Sequence, residues 1–283
     1  MLFRLKRNYT HGIILKRKEF IRINPLLDLH KIILRSSSLD RKIRVDVYLP
    51  SNTEDIYSTL LLNDGQDMGQ LKLVETLSQY FSVEGNTRFA VVAVHANENR
   101  LREYGVAGLP DYRRRGRNAA KYSDFISQEL IPFLQKEFGI LKEEHQNVFA
   151  GFSMGGLSAL DISWSYPQIF SKIGVFSGSF WWRSSNTGTA EDDTSRIMHK
   201  RIRESDKKEG LKFWLQTGTQ DETKDRNKNG IIDSIDDTLD LITELKSLGY
   251  NDEDIVYEEV EEGEHNFNTW SKIFPKFIEW AFS

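Results

Sequence analysis

The chain has 283 residues, of which 39% are hydrophobic, 28% charged and 12% aromatic; that excludes a disordered chain, and 19 Gly with 6 Pro in no fixed period exclude collagen-like or low-complexity material. With 38 Lys and Arg against 42 Asp and Glu the formal charge is −4, a balance that argues against a dedicated nucleic-acid binder. There is no cysteine, which removes disulfides, thiolate nucleophiles, iron–sulfur clusters and Cys-ligated zinc together.

In chain order, residues 1–28 read as a basic N-terminal arm. In its first two dozen residues Arg4, Lys6, Arg7, Lys16, Arg17, Lys18 and Arg22 face only one acid, Glu19, and a solvated surface segment is the expectation. The longest aliphatic run near the start, Ile13-Ile14-Leu15, is too short for a secretory or membrane-spanning segment, so a cytoplasmic location is expected. From 29 to 283 the pattern is that of one domain. Lys31–Arg35 and Ile43–Leu49 alternate apolar and polar residues and read as strands, joined closely enough for a hairpin. Tyr57–Leu62 and Phe89–Val94 are apolar runs, as in strands covered on both faces. Leu71–Phe81 has helical spacing, as does Asn118–Phe138, where Pro132 should kink the helix or open a new first turn. Short strands at Asn147–Ala150 and Ile173–Phe176 flank a helix that starts near Met154. Lys212–Gln216 and Ile255–Val260 are the last strands, with helices over Asp236–Leu248 and Thr269–Phe282. Strands alternating with helices predict an α/β fold with a mainly parallel central sheet and helices on both faces.

The sharpest local signal is Gly151-Phe152-Ser153-Met154-Gly155-Gly156, set between a buried strand and an apolar helix. G-x-S-x-G at such a corner is a nucleophile elbow: the turn is too tight for a Cβ on either flank, and the helix start aims backbone N–H groups at a developing oxyanion. A serine hydroxyl needs a base, and in this architecture acid and then histidine follow the serine along the chain. Only His199 and His265 follow Ser153. His199 sits in a charged stretch with no strand-end acid before it and reads as a solvated helix residue. His265 follows the last strand and is the expected base. Asp221, just beyond the strand Lys212–Gln216, is the expected acid, with Glu222 as the alternative. The backbone N–H groups of Met154 and Gln66, the latter in the turn Asn63-Asp64-Gly65-Gln66-Asp67, are the expected oxyanion donors.

Asp64–Asp67, Gly151–Gly156, Ser177-Gly178-Ser179-Phe180-Trp181-Trp182, Gly218–Asp221 and Gly263–His265 together resemble the esterase D/enterochelin esterase (Fes-like) family. The resemblance runs from about Leu29 to the C-terminus and lacks the larger N-terminal domain of enterochelin esterases. It implies an α/β-hydrolase fold and a serine carboxylic-ester hydrolase with Ser153, Asp221 and His265 as triad. The implied partner is a small-molecule ester of a sugar, an aromatic acid or a siderophore-like compound, with no cofactor for the chemistry. Acyl transfer by the same triad and a non-catalytic binding role are the alternatives.

Two further features stand apart. Trp181 and Trp182 follow the strand after the nucleophile helix and are expected at the site mouth as substrate contacts, the alternative being core packing. Asp225 to Asp236 matches a twelve-residue calcium loop, with Asp225, Asn227, Asn229, Asp233 and Asp236 at the side-chain ligand positions, Gly230 at the turn and Ile231 supplying a carbonyl. A structural calcium ion that stiffens the loop after Asp221 is expected there.

Overall fold

The computed structural model describes residues 13–51, 56, 58–143, 146–187 and 191–283. Among them are nine strands: β1 (Ile14–Asn24), β2 (Leu27–Ser36), β3 (Arg41–Pro50), β4 (Ser58–Asn63), β5 (Ala90–Val94), β6 (Gln146–Phe152), β7 (Lys172–Phe176), β8 (Lys212–Gln220) and β9 (Ile255–Glu264). They form one sheet in the order β1-β2-β3-β5-β4-β6-β7-β8-β9. The pairs β1–β2, β2–β3 and β3–β5 are antiparallel, and every pair from β5 across to β9 is parallel.

The division follows from composition. β4 (Ser-Thr-Leu-Leu-Leu-Asn) and β5 (Ala-Val-Val-Ala-Val) are buried at every residue, so helices must cover both faces. One core holds Leu61, Val92 and Phe149 against Phe125, Leu157 and Leu241 of the helical segments Phe125–Leu130, Met154–Ser165 and Asp233–Ser247. The other holds Leu60, Val91 and Val148 against Leu77, Phe274 and Phe277 of the helices Leu73–Ser82 and Phe267–Phe282. Alternate residues of each strand thus feed opposite cores, the period of two that a pleated sheet requires. No helix among the described residues is long and apolar enough to cross a membrane.

Two expectations need correction. The basic arm is, from Ile14 to Asn24, an edge strand, and β2 begins at Leu27, inside the stretch assigned to the arm. Its lysines and arginines are exposed, as suits an edge that must not recruit another strand, while Lys18 lies over the Phe138 ring at 4.3 Å. His199 is buried rather than solvated. Its Nε2 lies 2.8 Å from the Asp237 carbonyl, and burial pushes its pKa down to about 3, so it stays neutral. Pro132 marks a new first turn, as expected: it opens the last segment, Ile131–Phe138, of a helix that runs on from Ala119–Asp124 and Phe125–Leu130. Its middle segment widens to π-type turns, which accommodates a residue that cannot donate to the turn before it.

Because β4 and β6 to β9 run parallel, their C-terminal ends share one edge of the sheet. Asp64, Ser153, Ser177, Asp221 and His265 each leave the sheet there, where open α/β sheets place ligands.

Candidate active site

Ser153 ends β6 and begins the helix Met154–Ser165 with φ 54° and ψ −123°, a backbone state that costs a non-glycine residue of order 1–3 kcal/mol. The surroundings impose it. The Ser153 N–H donates to the Phe176 carbonyl at 2.8 Å, and its own carbonyl accepts from Gly156, Leu157 and Ser179 at 3.1, 3.2 and 3.2 Å. A Cβ on Gly151 would lie 2.4 Å from the Gly155 carbonyl oxygen, so only glycine lets the strand and the helix meet this closely. The N–H of Met154 stands in the first helical turn, where donors have no partner inside the helix.

Ser153 opens into a cavity of about 400 Å³ whose wall includes Asp64, Gln66, Arg100, His265, Phe267 and Trp270. The structure therefore brings Ser153, His265 and Gln66 to one space from three separate segments. Its polar floor is a pair that sequence reasoning missed. Asp64, buried and in a left-handed conformation (φ 61°), takes both Nε and Nη2 of Arg100 at 2.7 and 2.8 Å. Arg100 also donates to the Phe152 carbonyl at 3.3 Å and lies 5.0 Å from the Tyr104 ring. In the sequence Arg100 belongs to the arginine-rich stretch Asn97–Arg117, read either as a cover that attracts an anionic substrate or as a solvated surface, but its partner lies 36 positions away, beyond any local pattern.

His265 follows β9 and precedes Asn266, whose side chain caps the C-terminal helix by accepting the Thr269 N–H at 3.1 Å. One side of its ring meets solvent, and Trp270 stands edge-on to it at 5.3 Å. Burial of the other side lowers its pKa below 6.5; the Asp221 carboxylate opposes that fall and Arg100 adds to it.

Asp221 is set by a bulge. The β8–β9 register shifts between Gly218 and Gln220, and a Cβ on Gly218 would lie 2.2 Å from the Gly263 carbonyl. The turn closes with the Asp221 N–H donating to the Gly218 carbonyl at 3.2 Å. Burial raises the Asp221 pKa against the pull of the Gly218 backbone, the Ser177 hydroxyl and His265. Neither Asp221 oxygen has a partner in hydrogen-bond geometry, while Trp270 Nε1 donates to Ser177 Oγ at 2.9 Å beside it. Glu222 lines a neighbouring cleft with Trp181, outside the Ser153 cavity. Ser179 Oγ lies 3.3 Å from Ser153 Oγ, a contact the sequence did not single out.

Trp182 is not a substrate contact. It is fully buried, its Nε1 donates to the Leu109 carbonyl at 3.1 Å, and its ring packs on Gly105 and Gly116. Trp181 is half-buried outside the Ser153 cavity, and Arg115 covers its ring at 4.4 Å.

The calcium-loop residues gather in part. Asn227 and Asn229 each place their amide group 2.8 Å from Asp236 Oδ2, and Asp225 accepts the N–H groups of Asn229 and Gly230 at 3.1 and 2.9 Å. Gly230, at the sharp turn, has φ 88°. Asp233 does not join them: its Oδ1 accepts the Arg226 N–H at 2.7 Å and its Oδ2 pairs with the Arg226 guanidinium at 3.3 Å.

Against known proteins, residues 36–280 match the family model described as "Putative esterase". The chain belongs to that family. Two Bacillus subtilis (strain 168) proteins are similar: YbbA, 22% identical over 250 residues that cover 84% of this chain and 92% of that one, and YjcH, 21% identical over 249 residues that cover 86% and 93%. An enterochelin esterase from Shigella flexneri superposes with a TM-score of 0.69 at 20% identity, over 92% of this chain and 59% of that chain. A ferulic acid esterase superposes with the same score at 17% identity, over 92% of this chain and 99% of that one. This family member therefore spans under two thirds of the Shigella chain. The shared feature is the α/β-hydrolase fold, with its mainly parallel sheet and helices on both faces.

Proposed function

We propose that the protein is a serine ester hydrolase. The observation that carries this reading is Ser153, held in a strained strand-to-helix corner and opening into one cavity with His265, whose imidazole feels the Asp221 carboxylate. In the reaction, Ser153 Oγ attacks the ester carbonyl while His265 takes the hydroxyl proton. The carbonyl oxygen gains the negative charge and is held by the N–H groups of Met154 and Gln66. Collapse of the tetrahedral intermediate breaks the bond to the alcohol, which leaves with the proton from His265. Water then attacks the acyl-enzyme by the same route in reverse, releasing the acid and restoring Ser153. Asp221 orients the imidazole and offsets its positive charge when protonated.

Hydrolysis of p-nitrophenyl acetate and butyrate by the wild type and by Ser153→Ala tests this. The mutant should lose roughly 10⁵- to 10⁶-fold in kcat; a mutant as active as the wild type contradicts the reading.

We also infer a structural calcium ion in the loop after Asp221. Asp225, Asn227, Asn229 and Asp236 would hold it with the Ile231 carbonyl, which suits a hard cation that takes oxygen ligands. Asp233 is excluded as a direct ligand by its pairing with Arg226. The ion has no part in the chemistry.

A further inference from the structure

A second cleft, of about 170 Å³, is lined by Glu222, next to Asp221 in the chain, and shares no lining residue with the Ser153 cavity. Five cations face it: Arg113, Arg115, Arg183, Lys224 and Arg226. Two of them are already neutralised, Arg115 by Asp111, and Arg226 by Asp193, Asp233 and Asp237. Among the described residues, Arg113, Arg183 and Lys224 form no ion pair. Of the cleft's two acids Asp233 is committed to Arg226, which leaves Glu222, beside Lys224, as one acid against three cations.

The aromatic rings of this cleft act as supports. The guanidinium carbons of Arg113 and Arg183 lie 5.4 and 5.8 Å from the Tyr112 ring, and that of Arg115 lies 4.4 Å from Trp181. Rings used this way hold arginines in place before a ligand arrives and lower the ordering cost of binding. They leave little free aromatic face for a sugar or aryl group. Arg183 supplies a second sign: its Nε is buried without a hydrogen-bond partner, an orphan donor that an acceptor in the cleft would satisfy. The volume admits one small charged group, not a polymer backbone.

Position ties the cleft to the reaction. Glu222 follows Asp221, and Trp181 lies two residues beyond Ser179, whose Oγ is 3.3 Å from Ser153 Oγ. Residues 179–181 and 221–222 thus supply both the surroundings of Ser153 and the lining of the cleft. We propose that the cleft receives an anionic group, a carboxylate or phosphate, carried by the ester substrate away from its reacting carbonyl. This rests on the reading of Ser153 as nucleophile and narrows the substrate class to anionic esters.

The test compares p-nitrophenyl butyrate with the mono-p-nitrophenyl esters of succinate, adipate and suberate. It uses the wild type, Ser153→Ala and the double variant Arg113→Ala/Lys224→Ala, whose two side chains are exposed and expendable for folding. The wild type should favour at least one carboxylate-tailed ester over the neutral one by about tenfold or more in kcat/KM, the scale of one charged hydrogen bond. In the double variant that preference should fall to within about twofold, and inorganic phosphate should inhibit cleavage of the favoured ester about tenfold more weakly. A wild type that cleaves the neutral ester and favours no charged one overturns the proposal, as does a preference that survives in the double variant. Neutral-ester cleavage equal in the wild type and Ser153→Ala overturns the nucleophile reading instead, and this proposal with it.

Discussion

The two sides of the candidate site are held by different forces. On the serine side the geometry is backbone against backbone: a strained φ at Ser153, glycines whose Cβ would strike a neighbouring carbonyl, and a net of main-chain hydrogen bonds. On the acid–base side it is side chain and loop. Asp221 is placed by a bulge and its carboxylate oxygens have no hydrogen-bond partner, and His265 is half open to solvent against the edge of Trp270. The Ser153 backbone is therefore fixed by its neighbours, whereas the Asp221 carboxylate oxygens have no partner in hydrogen-bond geometry. Apo geometry of that kind is common among catalytic groups and tightens in the complex.

Substitutions on each side should separate these modes. After Ser153→Ala, the largest effect belongs to Asp221→Asn, which should cut kcat by about 10⁴-fold with little loss of stability. The pH profile gives the sign. His265 works as a base only when neutral and its pKa is already below 6.5, so activity should hold as pH falls to that value and decline below it. Asp221 raises that pKa, so Asp221→Asn should move the acid limb to still lower pH. Arg100→Met should move it the other way, because Arg100 lowers the same pKa. It should also cost about 3 kcal/mol of stability by leaving Asp64 buried without its partner. Acid limbs that shift in the same direction would break the electrostatic account of His265.

Gly151→Ala probes the serine side. Overpacking should cost roughly 1–3 kcal/mol, read as a lowered Tm, and lower kcat through a displaced Ser153. A variant with unchanged Tm and rate would show that the corner is looser than its contacts imply. The smallest effect is calcium. Millimolar calcium added to chelator-treated protein should raise Tm by about 2 °C, and no shift would remove the ion from the loop after Asp221.

The same contrast explains what could be read from the sequence. The serine corner was legible because steric necessity writes small residues at fixed spacing around Ser153, and strands β4 to β7 because burial on both faces leaves short apolar runs. Strand β1 was not, since an edge strand of lysines and arginines lacks the alternation that marks a half-buried one. The Asp64–Arg100 pair, the burial of His199 and Trp182, and the cationic cleft depend on residues brought together from distant segments. A tryptophan's role in particular cannot be told from its neighbours in the chain: Trp181 and Trp182 are adjacent, yet one supports an arginine at the surface and the other fills the core.

The central claim is that Ser153 is a preset nucleophile. The most direct measurement is to treat the protein with a fluorophosphonate that captures activated serines, digest it, and map the adduct by mass spectrometry while following ester hydrolysis. One adduct, on Ser153, formed at the rate at which hydrolysis is lost, is the predicted result. Hydrolysis that disappears with the adduct elsewhere, or that persists with Ser153 fully labelled, would contradict it.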